Sequence, residues 1–592
     1  MEKPERVEDR LADFTRDRRV LVLSLMALII GALSAFVAKA LVWLIAVITN
    51  VSFYGRLSSV FQSPDHHRLG YWVVAVPALG GLVIGLMARY GSERIRGHGI
   101  PEALEAILFG RSRMSPKVAV LKPLSSAISI GTGGPFGAEG PIIMTGGAVG
   151  SLFAQLFHLS SAERKTLLVA GASGGMAAIF ASPVAAVLLA VELLLFEWRP
   201  RSFIPVALAS VAAFAMRLPL MGAGPIFPVT PHAMPGGEVL AFALLVGVVA
   251  GLASGLLTTL VYACEDLFAR MPFHWMWWPA IGGVLVGLGG LFEPRVLGVG
   301  YETIHAVLRG EIVGAALIGI LVGKSLVWSL ALGSGTSGGV LAPLLMMGGA
   351  LGAAEAHFIP AGDVGLWALV SMAAMMGGTM RSPLTAMIFA LELTQDFNLL
   401  PALLVGCIAA HGVTVLLLRR SILTEKVARR GYHVMREYAV DPLAVTRVSE
   451  VMAQTFQTVN EKMKLTELSD RIARNDPAVI RHQALPVVDD GGRLCGIVTR
   501  GDVVRALEQD ADGDTTVLDA GTRELVVAYP DEVLQDAVMK MLRNDIGRLP
   551  VVSRGDARRL VGYLGRANLM AARLRQLEDE HVRERSLNIL PS

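Results

Sequence analysis

Long apolar runs alternate with short polar breaks between residues 20 and about 420, whereas charged residues crowd the rest of the chain. The run from Val20 to Ile48 is long enough to cross a bilayer as a helix. Many later runs are short, uneven and interrupted by glycine and proline. Such interruptions are typical of membrane helices that stop partway across. The pattern predicts an all-α polytopic membrane domain, residues 20–420, followed by a tail outside the membrane.

The apolar part carries one pattern twice. A lysine, a glycine-rich bend and a proline recur at an offset of 202 positions, as Lys122, Gly131, Gly133, Gly137, Pro141 and as Lys324, Gly333, Gly335, Gly339, Pro343. A second match, at an offset of 200, pairs Glu192-Leu193 with Glu392-Leu393. We therefore expect two homologous halves, about 20–200 and 238–420, with an ion or substrate site where their glycine-broken segments meet.

Composition narrows the choice of function. The formal net charge is +3 at pH 7, which gives no support for nucleic-acid binding. Cys264, Cys407 and Cys495 are too few and too scattered for a disulfide framework or a zinc site. We expect an integral membrane protein surrounded by lipid, with no metal.

Basic residues flank the apolar region at both ends and favour the cytoplasmic side. They are Arg16, Arg18 and Arg19 before the first run, and Arg419, Arg420, Arg429 and Arg430 after the last. Residues 1–19 are charged and the following run is too long for a signal-peptide core, so we expect no cleaved signal. The prediction is a protein of a bacterial-type inner membrane with both termini cytoplasmic.

The tail holds a second internal repeat. After a linker at 421–445, Leu485-Pro486-Val487-Val488 and Leu549-Pro550-Val551-Val552 each lead into a further strand-like run, with helix-like stretches between. This alternation predicts a cytoplasmic α/β module present twice, at 446–508 and 515–575, before a terminal segment at 576–592.

Three segments of the membrane part are glycine bends that close on a proline, at 97–101, 137–141 and 339–343. Proline favours the first turn of a helix, and the unpaired N–H groups of such a start attract anions. Three starts that converge would bind an anion weakly enough to release it, as conduction requires. Glu139 places a carboxylate at one start, where it can occupy the anion's place and vacate it on protonation. A structural glutamate paired with a distant cation is the less favoured interpretation.

These motifs resemble those of the CLC family of chloride channels and proton-coupled chloride transporters, and the tail resembles the paired CBS domains of many members. The resemblance implies an inverted-repeat membrane domain, a homodimer and one anion pathway in each subunit. It assigns anion contacts to the positions of His98, Gly99, Ile100, Val340, Leu341 and Leu423 and gating to Glu139. Two interpretations of Lys122 and Lys324 stay open: they tune the field of the site, or they are packing and snorkelling side chains.

Departures from the family pattern affect the anion site. His98 replaces the usual serine, Leu341 replaces a common phenylalanine, and Leu423 stands where a tyrosine usually contacts the anion. Cationic His98 would strengthen anion binding, and neutral His98 could still donate one N–H. Selectivity for chloride over other small anions therefore stays open.

A further departure bears on mechanism. Leu193 stands where coupled family members carry an inward-facing glutamate, next to the position of Glu192. The absence of this glutamate favours passive, channel-like chloride transport, and a proton-coupled chloride antiporter is the alternative. Glu192 is expected to be structural, because Glu392 repeats it in the other half.

In the tail, Thr499 and Asp502 match ribose and phosphate contacts of a nucleotide-binding CBS copy. The second copy has Gly565 and Asn568 at these places. The module can thus bind adenine nucleotide or serve only as a dimerisation scaffold, and transport itself requires no cofactor.

Two other classes are remote alternatives. Gly171-Ala172-Ser173-Gly174 resembles the serine motif of intramembrane proteases, with His411 in another apolar segment, whereas the His-Glu-x-x-His motif of metalloproteases is missing. A CBS-linked magnesium transporter would need several acidic pore ligands. We expect no enzyme, and tracer flux in proteoliposomes separates these classes.

Overall fold

The computed structural model describes residues 19–432, 443, 446–476, 479, 484–509 and 514–571. The expectations for Arg16, Arg18, residues 433–442, 444 and 445 of the linker, and the segment 576–592 lie outside these residues. The chain divides into a unit that extends to Gly431 and a unit that begins at Tyr432.

The first unit is helical. In chain order its helices are α1 (Arg19–Tyr54), α2 (Ala75–Tyr90), α3 (Ile100–Leu108), α4 (Pro116–Gly131), α5 (Glu139–Gln155), α6 (Ser161–Phe180), α7 (Pro183–Leu189), α8 (Pro200–Met221), α9 (Gly237–Ala269), α10 (Trp278–Phe292), α11 (Tyr301–Leu308), α12 (Ala315–Gly333), α13 (Leu341–Glu355), α14 (Val364–Met380), α15 (Pro383–Thr394), α16 (Leu400–Leu417) and α17 (Ile422–Arg429). Seven helical stretches of the described chain are long and apolar enough to span a membrane. The others, such as α3, α7 and α11, are too short, as the broken apolar runs predicted.

Helices α1–α8 and α9–α16 pack in the same way. Helix α1 packs on α6 and α8, and α9 packs on α14 and α16. Helix α5 packs on α6, and α13 packs on α14. The first set runs through α8, beyond the position near 200 at which the sequence repeat ends. Each half is thus a bundle of the same design.

Glycines let the helices of these bundles approach closely. A Cβ atom on Gly146 of α5 would lie 2.3 Å from the carbonyl oxygen of Gly171 on α6, and a Cβ on Gly171 would lie 2.1 Å from that of Gly146. Small residues at helix contacts are the usual means of tight packing in lipid, where apolar burial drives association weakly. These glycines therefore allow the close helix contacts that hold the bundle together.

The second unit contains strands and short helices. Its strands are β1 (Val459–Asn460), β2 (Ala484–Val488), β3 (Leu494–Thr499), β4 (Arg548–Ser553) and β5 (Asp556–Gly565), and its helices are α18 (Val448–Val451), α19 (Leu465–Ala473), α20 (Arg500–Gln509), α21 (Val517–Ala520) and α22 (Leu534–Arg543). Strand β2 pairs with β1 in parallel and with β3 in antiparallel. Strand β4 pairs with β5 in antiparallel.

The two copies of the tail exchange their first helices. Val448 of α18 is buried in the core of the second copy, beside Leu549 and Leu564. Val517 of α21 is buried in the core of the first copy, beside Val487. The copies are therefore interlocked, which their linear repeat does not reveal.

Candidate functional site

The three glycine–proline segments meet at one place. Gly137 and Gly339 exchange two backbone hydrogen bonds, from Gly339 N to Gly137 O at 2.9 Å and from Gly137 N to Gly339 O at 3.4 Å. A Cβ atom on Gly140 would lie 2.0 Å from the carbonyl oxygen of His98 and 3.2 Å from Cα of Gly339. The starts of α3, α5 and α13 are therefore in direct backbone contact, as the sequence predicted.

The Glu139 side chain lies at this junction and is fully buried. Its Oε1 accepts a hydrogen bond of 2.9 Å from the backbone N–H of Ala342, in the first turn of α13. Its Oε2 has no hydrogen-bond partner among the described residues. A carboxylate thus occupies the start of a helix, where the peptide dipoles favour negative charge.

The first motif differs from the prediction that the backbone of Gly99 contacts the anion. Gly99 precedes α3 with a φ of 90°, and its N–H donates to Oε2 of Glu102 at 3.0 Å. This N–H is therefore not free to meet an anion, because Glu102 already accepts its hydrogen. The following start at Ile100 is buried and keeps the unpaired first-turn amides that every helix has.

His98 is buried, and its Nδ1 has no hydrogen-bond partner within the described part of the chain. Val340 precedes α13 and Leu341 begins it, and both are fully buried. Leu423 on α17 is also fully buried and offers no polar atom. Of these four side chains only that of His98 carries a polar group, so Val340, Leu341 and Leu423 can offer an anion only their backbone.

The two repeated lysines are buried and hydrogen-bonded, so the snorkelling interpretation is wrong. Nζ of Lys122 donates to the carbonyl oxygens of Ile95 at 2.8 Å and Gly97 at 2.7 Å. Nζ of Lys324 donates in the same way to Val296 at 2.9 Å and Gly298 at 2.8 Å. Each ammonium group fixes the turn that precedes a helix start, α3 in the first half and α11 in the second.

A cavity of about 480 Å³ lies beside the first motif and α17. Its basic lining residues are Arg94, Arg96, Lys426, Arg429 and Arg430, and its acidic ones are Glu93, Glu105 and Glu265. Lys426 pairs with Glu265 at 2.8 Å. Arg96 stacks on Trp275, and its Nε has no hydrogen-bond partner among the residues that the structure describes. The sequence pattern did not predict this cavity, although Arg96 directly precedes the first motif.

Leu193 lies in a π-helical turn, Ala190–Leu195, that continues α7. Its side chain is fully buried and has no titratable group. The next acid along the chain is Glu197, which accepts a hydrogen bond from Ser202 at 2.9 Å and lies within 4.0 Å of Lys165 and Arg201. Glu197 is thus held by cations.

The tail residues singled out for nucleotide contact bond to one another. Oδ2 of Asp502 accepts from N of Thr499 at 2.9 Å and from its Oγ1 at 2.7 Å. In the second copy Oδ1 of Asn568 accepts from N of Gly565 at 2.9 Å. Both side chains therefore support the turn between a strand and the following segment.

The family model for voltage gated chloride channels matches residues 80–415, and that for the CBS domain matches residues 448–509 and 517–575. The H(+)/Cl(-) exchange transporter ClcA of Salmonella arizonae is 29% identical over 420 residues, which cover 67% of this chain and 86% of that protein. ClcA of Salmonella paratyphi B has the same identity and coverage.

Solved structures share the fold. A slow cyanobacterial Cl-/H+ antiporter is 23% identical with a TM-score of 0.60, over 70% of this chain and 98% of that one. A eukaryotic CLC transporter is 17% identical with a TM-score of 0.61, over 93% of this chain and 98% of that one. The chain belongs to the voltage gated chloride channel family, the CLC family, which transports anions across membranes, and it carries CBS domains in its tail.

Proposed function

We propose that the protein passes chloride through the junction of α3, α5 and α13 and that Glu139 is its gate. The observation that supports this best is the 2.9 Å hydrogen bond from N of Ala342 to Oε1 of Glu139. An acceptor with negative charge already occupies a helix start there. Chloride is the simplest anion that could replace it.

The physical basis is electrostatic. Unpaired amides and the helix dipole supply only partial positive charge, so an anion is held without a full counterion. The lysine charges nearest the motifs are directed at carbonyl oxygens. Weak binding at such a site is compatible with rapid release.

We propose passive, channel-like flux, since the buried Leu193 offers no proton relay and Glu197 is engaged by cations. Proton-coupled exchange is the second candidate. The relatives favour it, because ClcA is an exchange transporter and the cyanobacterial structure is that of an antiporter.

Chloride flux with simultaneous pH recording in proteoliposomes separates the two. A chloride gradient should drive no uphill proton movement, and the reversal potential should not change when a proton gradient is applied. A shift of the reversal potential in a fixed ratio would establish the exchanger instead. The Glu197→Gln variant is the matched test of a displaced relay: coupling that is present in the wild type and lost in this variant would assign the relay to Glu197.

We further propose that the protein is a homodimer with both termini in the cytoplasm and that its tail can take adenine nucleotide. The strand–helix turns at Thr499 and Gly565 are the candidate contacts. Thermal unfolding of the full chain with and without ATP, for the wild type and for Asp502→Asn, tests the nucleotide part. A melting temperature that ATP leaves unchanged would leave the dimerisation scaffold as the role of the tail.

A further inference from the structure

Besides Nδ1 of His98, two other buried polar atoms near the gate lack partners in the described part of the chain. One is Oε2 of Glu139, and the other is the phenolic oxygen of Tyr301, the first residue of α11. Neither has a hydrogen bond within the described residues. Buried polar atoms are almost always hydrogen-bonded in native proteins, so an unpaired pair in one region calls for a physical explanation.

The position of Tyr301 follows from the repeat. Lys122 fixes the turn before α3, and Lys324 fixes the turn before α11 by the same two contacts. Each turn ends in a glycine with positive φ, 90° at Gly99 and 79° at Gly300. Tyr301 therefore begins the second-half counterpart of the helix that Ile100 begins in the first half, and it supplies a hydroxyl where α3 has none.

The turn before α11 is held against the elements that surround Glu139. N of Gly298 donates to the carbonyl oxygen of Gly133 at 3.0 Å, in the segment that leads to α5. A Cβ on Gly300 would lie 1.8 Å from Cε of Met346 on α13, the helix that binds Glu139. The Tyr301 ring packs edge-on against Phe227 with centroids 5.8 Å apart. These contacts place the first turn of α11 beside the segments that hold Glu139.

We propose that the Tyr301 hydroxyl is the hydrogen-bond partner of Glu139 once the carboxylate has left Ala342, so that Tyr301 is a positioning residue for the open gate. This inference rests on the proposed gating function. A phenolic hydroxyl can donate to an ionised carboxylate and can accept from a protonated one. It therefore suits the displaced side chain in both protonation states.

The expected effect of removing the hydroxyl follows from the value of one hydrogen bond. In Tyr301→Phe the displaced Glu139 would have no partner, while the ring and its contact with Phe227 stay. The open state should become about fivefold to tenfold less populated. Because more protonation is then needed to open the gate, the pH of half-maximal flux should move to lower values.

The test is a double-mutant cycle of chloride efflux from proteoliposomes, with wild type, Tyr301→Phe, Glu139→Ala and the double variant. Tyr301→Phe should slow the wild type about fivefold to tenfold and leave the Glu139→Ala background unchanged. Equal slowing in both backgrounds, no slowing of the wild type, or an unmoved pH midpoint would overturn the inference.

The cycle separates this inference from the gate itself. Glu139→Ala alone tests the gate, since removing the carboxylate should raise flux. If Glu139→Ala does not raise flux, the gating function fails, and the role proposed for Tyr301 fails with it. If Glu139→Ala raises flux but the effect of Tyr301→Phe does not depend on Glu139, the gating function is kept and the role of Tyr301 alone is overturned.

Discussion

Glu192 and Glu392 cap helices in opposite halves: Glu192 caps the start of α15, and Glu392 caps the start of α7. Oε2 of Glu192, which follows α7, accepts from N of Thr385 at the start of α15 at 2.8 Å. Oε2 of Glu392 on α15 accepts from N of Ala185 at the start of α7 at 2.8 Å. The exchange joins the inverted repeats through four charge-assisted backbone contacts, with Leu384 and Val184 as the second donors, and Oγ1 of Thr385 adds a fifth contact to Oε2 of Glu192 at 2.6 Å.

This relationship predicts equal structural roles for the two glutamates. Glu192→Gln and Glu392→Gln should each lower the free energy of unfolding by about 1–3 kcal/mol, because each turns an acceptor oxygen into an amino group that faces N–H donors. Thermal unfolding of the purified protein in detergent measures this. If Glu192→Gln altered proton movement and left stability unchanged, Glu192 would be a proton relay rather than a cap.

A methyl group at Gly137 should open the gate. A Cβ there would lie 1.9 Å from Oε2 of Glu139, so the flexible carboxylate must leave its place. We expect Gly137→Ala to raise chloride flux by severalfold, measured as efflux from proteoliposomes.

Gly140→Ala is the matched control for that experiment. Its Cβ would lie 2.0 Å from the carbonyl oxygen of His98, which cannot move as freely as a side chain. We expect this variant to lose flux or to misfold. Higher flux in Gly140→Ala, or unchanged flux in Gly137→Ala, would contradict the placement of the gate.

His98 should contribute to anion affinity through its imidazole. Its Nδ1 is buried and unpaired within the described chain, and a neutral imidazole can still present one N–H to an anion. His98→Ala should raise the chloride concentration of half-maximal flux about fivefold to tenfold, and His98→Ser should recover part of the loss. An unchanged half-saturation in both variants would exclude an anion contact.

Flux should rise as the pH falls. Protonation removes the negative charge with which Glu139 competes with chloride for the helix start. The carboxyl group therefore blocks the site less at low pH. Lys324 is a titratable group that also interacts with this carboxylate. Glu139→Gln should flatten the profile, as recorded by efflux at stepped pH, and a profile that persists in this variant would place the sensor elsewhere.

The sequence predicted the junction because its signals are local. Glycine followed by proline marks each helix start, and the offset of 202 positions relates two of them without any knowledge of packing. Glu139 stood out because an ionisable residue is rare inside an apolar segment.

Other features depend on contacts that a linear pattern does not record. The N–H of Gly99 donates to Glu102, whereas the motif alone would suggest that this N–H is unpaired. The sequence pattern did not predict a role for Tyr301, because the turn at 298–301 has only two glycines in common with residues 97–100. Packing of Val448 into the second copy of the tail likewise requires the folded chain.

The most direct test of the account is chloride efflux from proteoliposomes that contain wild-type protein or Glu139→Gln. The neutral amide cannot compete as an anion for the N–H of Ala342, so efflux through the variant should be about tenfold faster. Equal or slower efflux through Glu139→Gln, from protein that elutes and unfolds as the wild type does, would contradict the claim that this carboxylate takes the place of the transported anion.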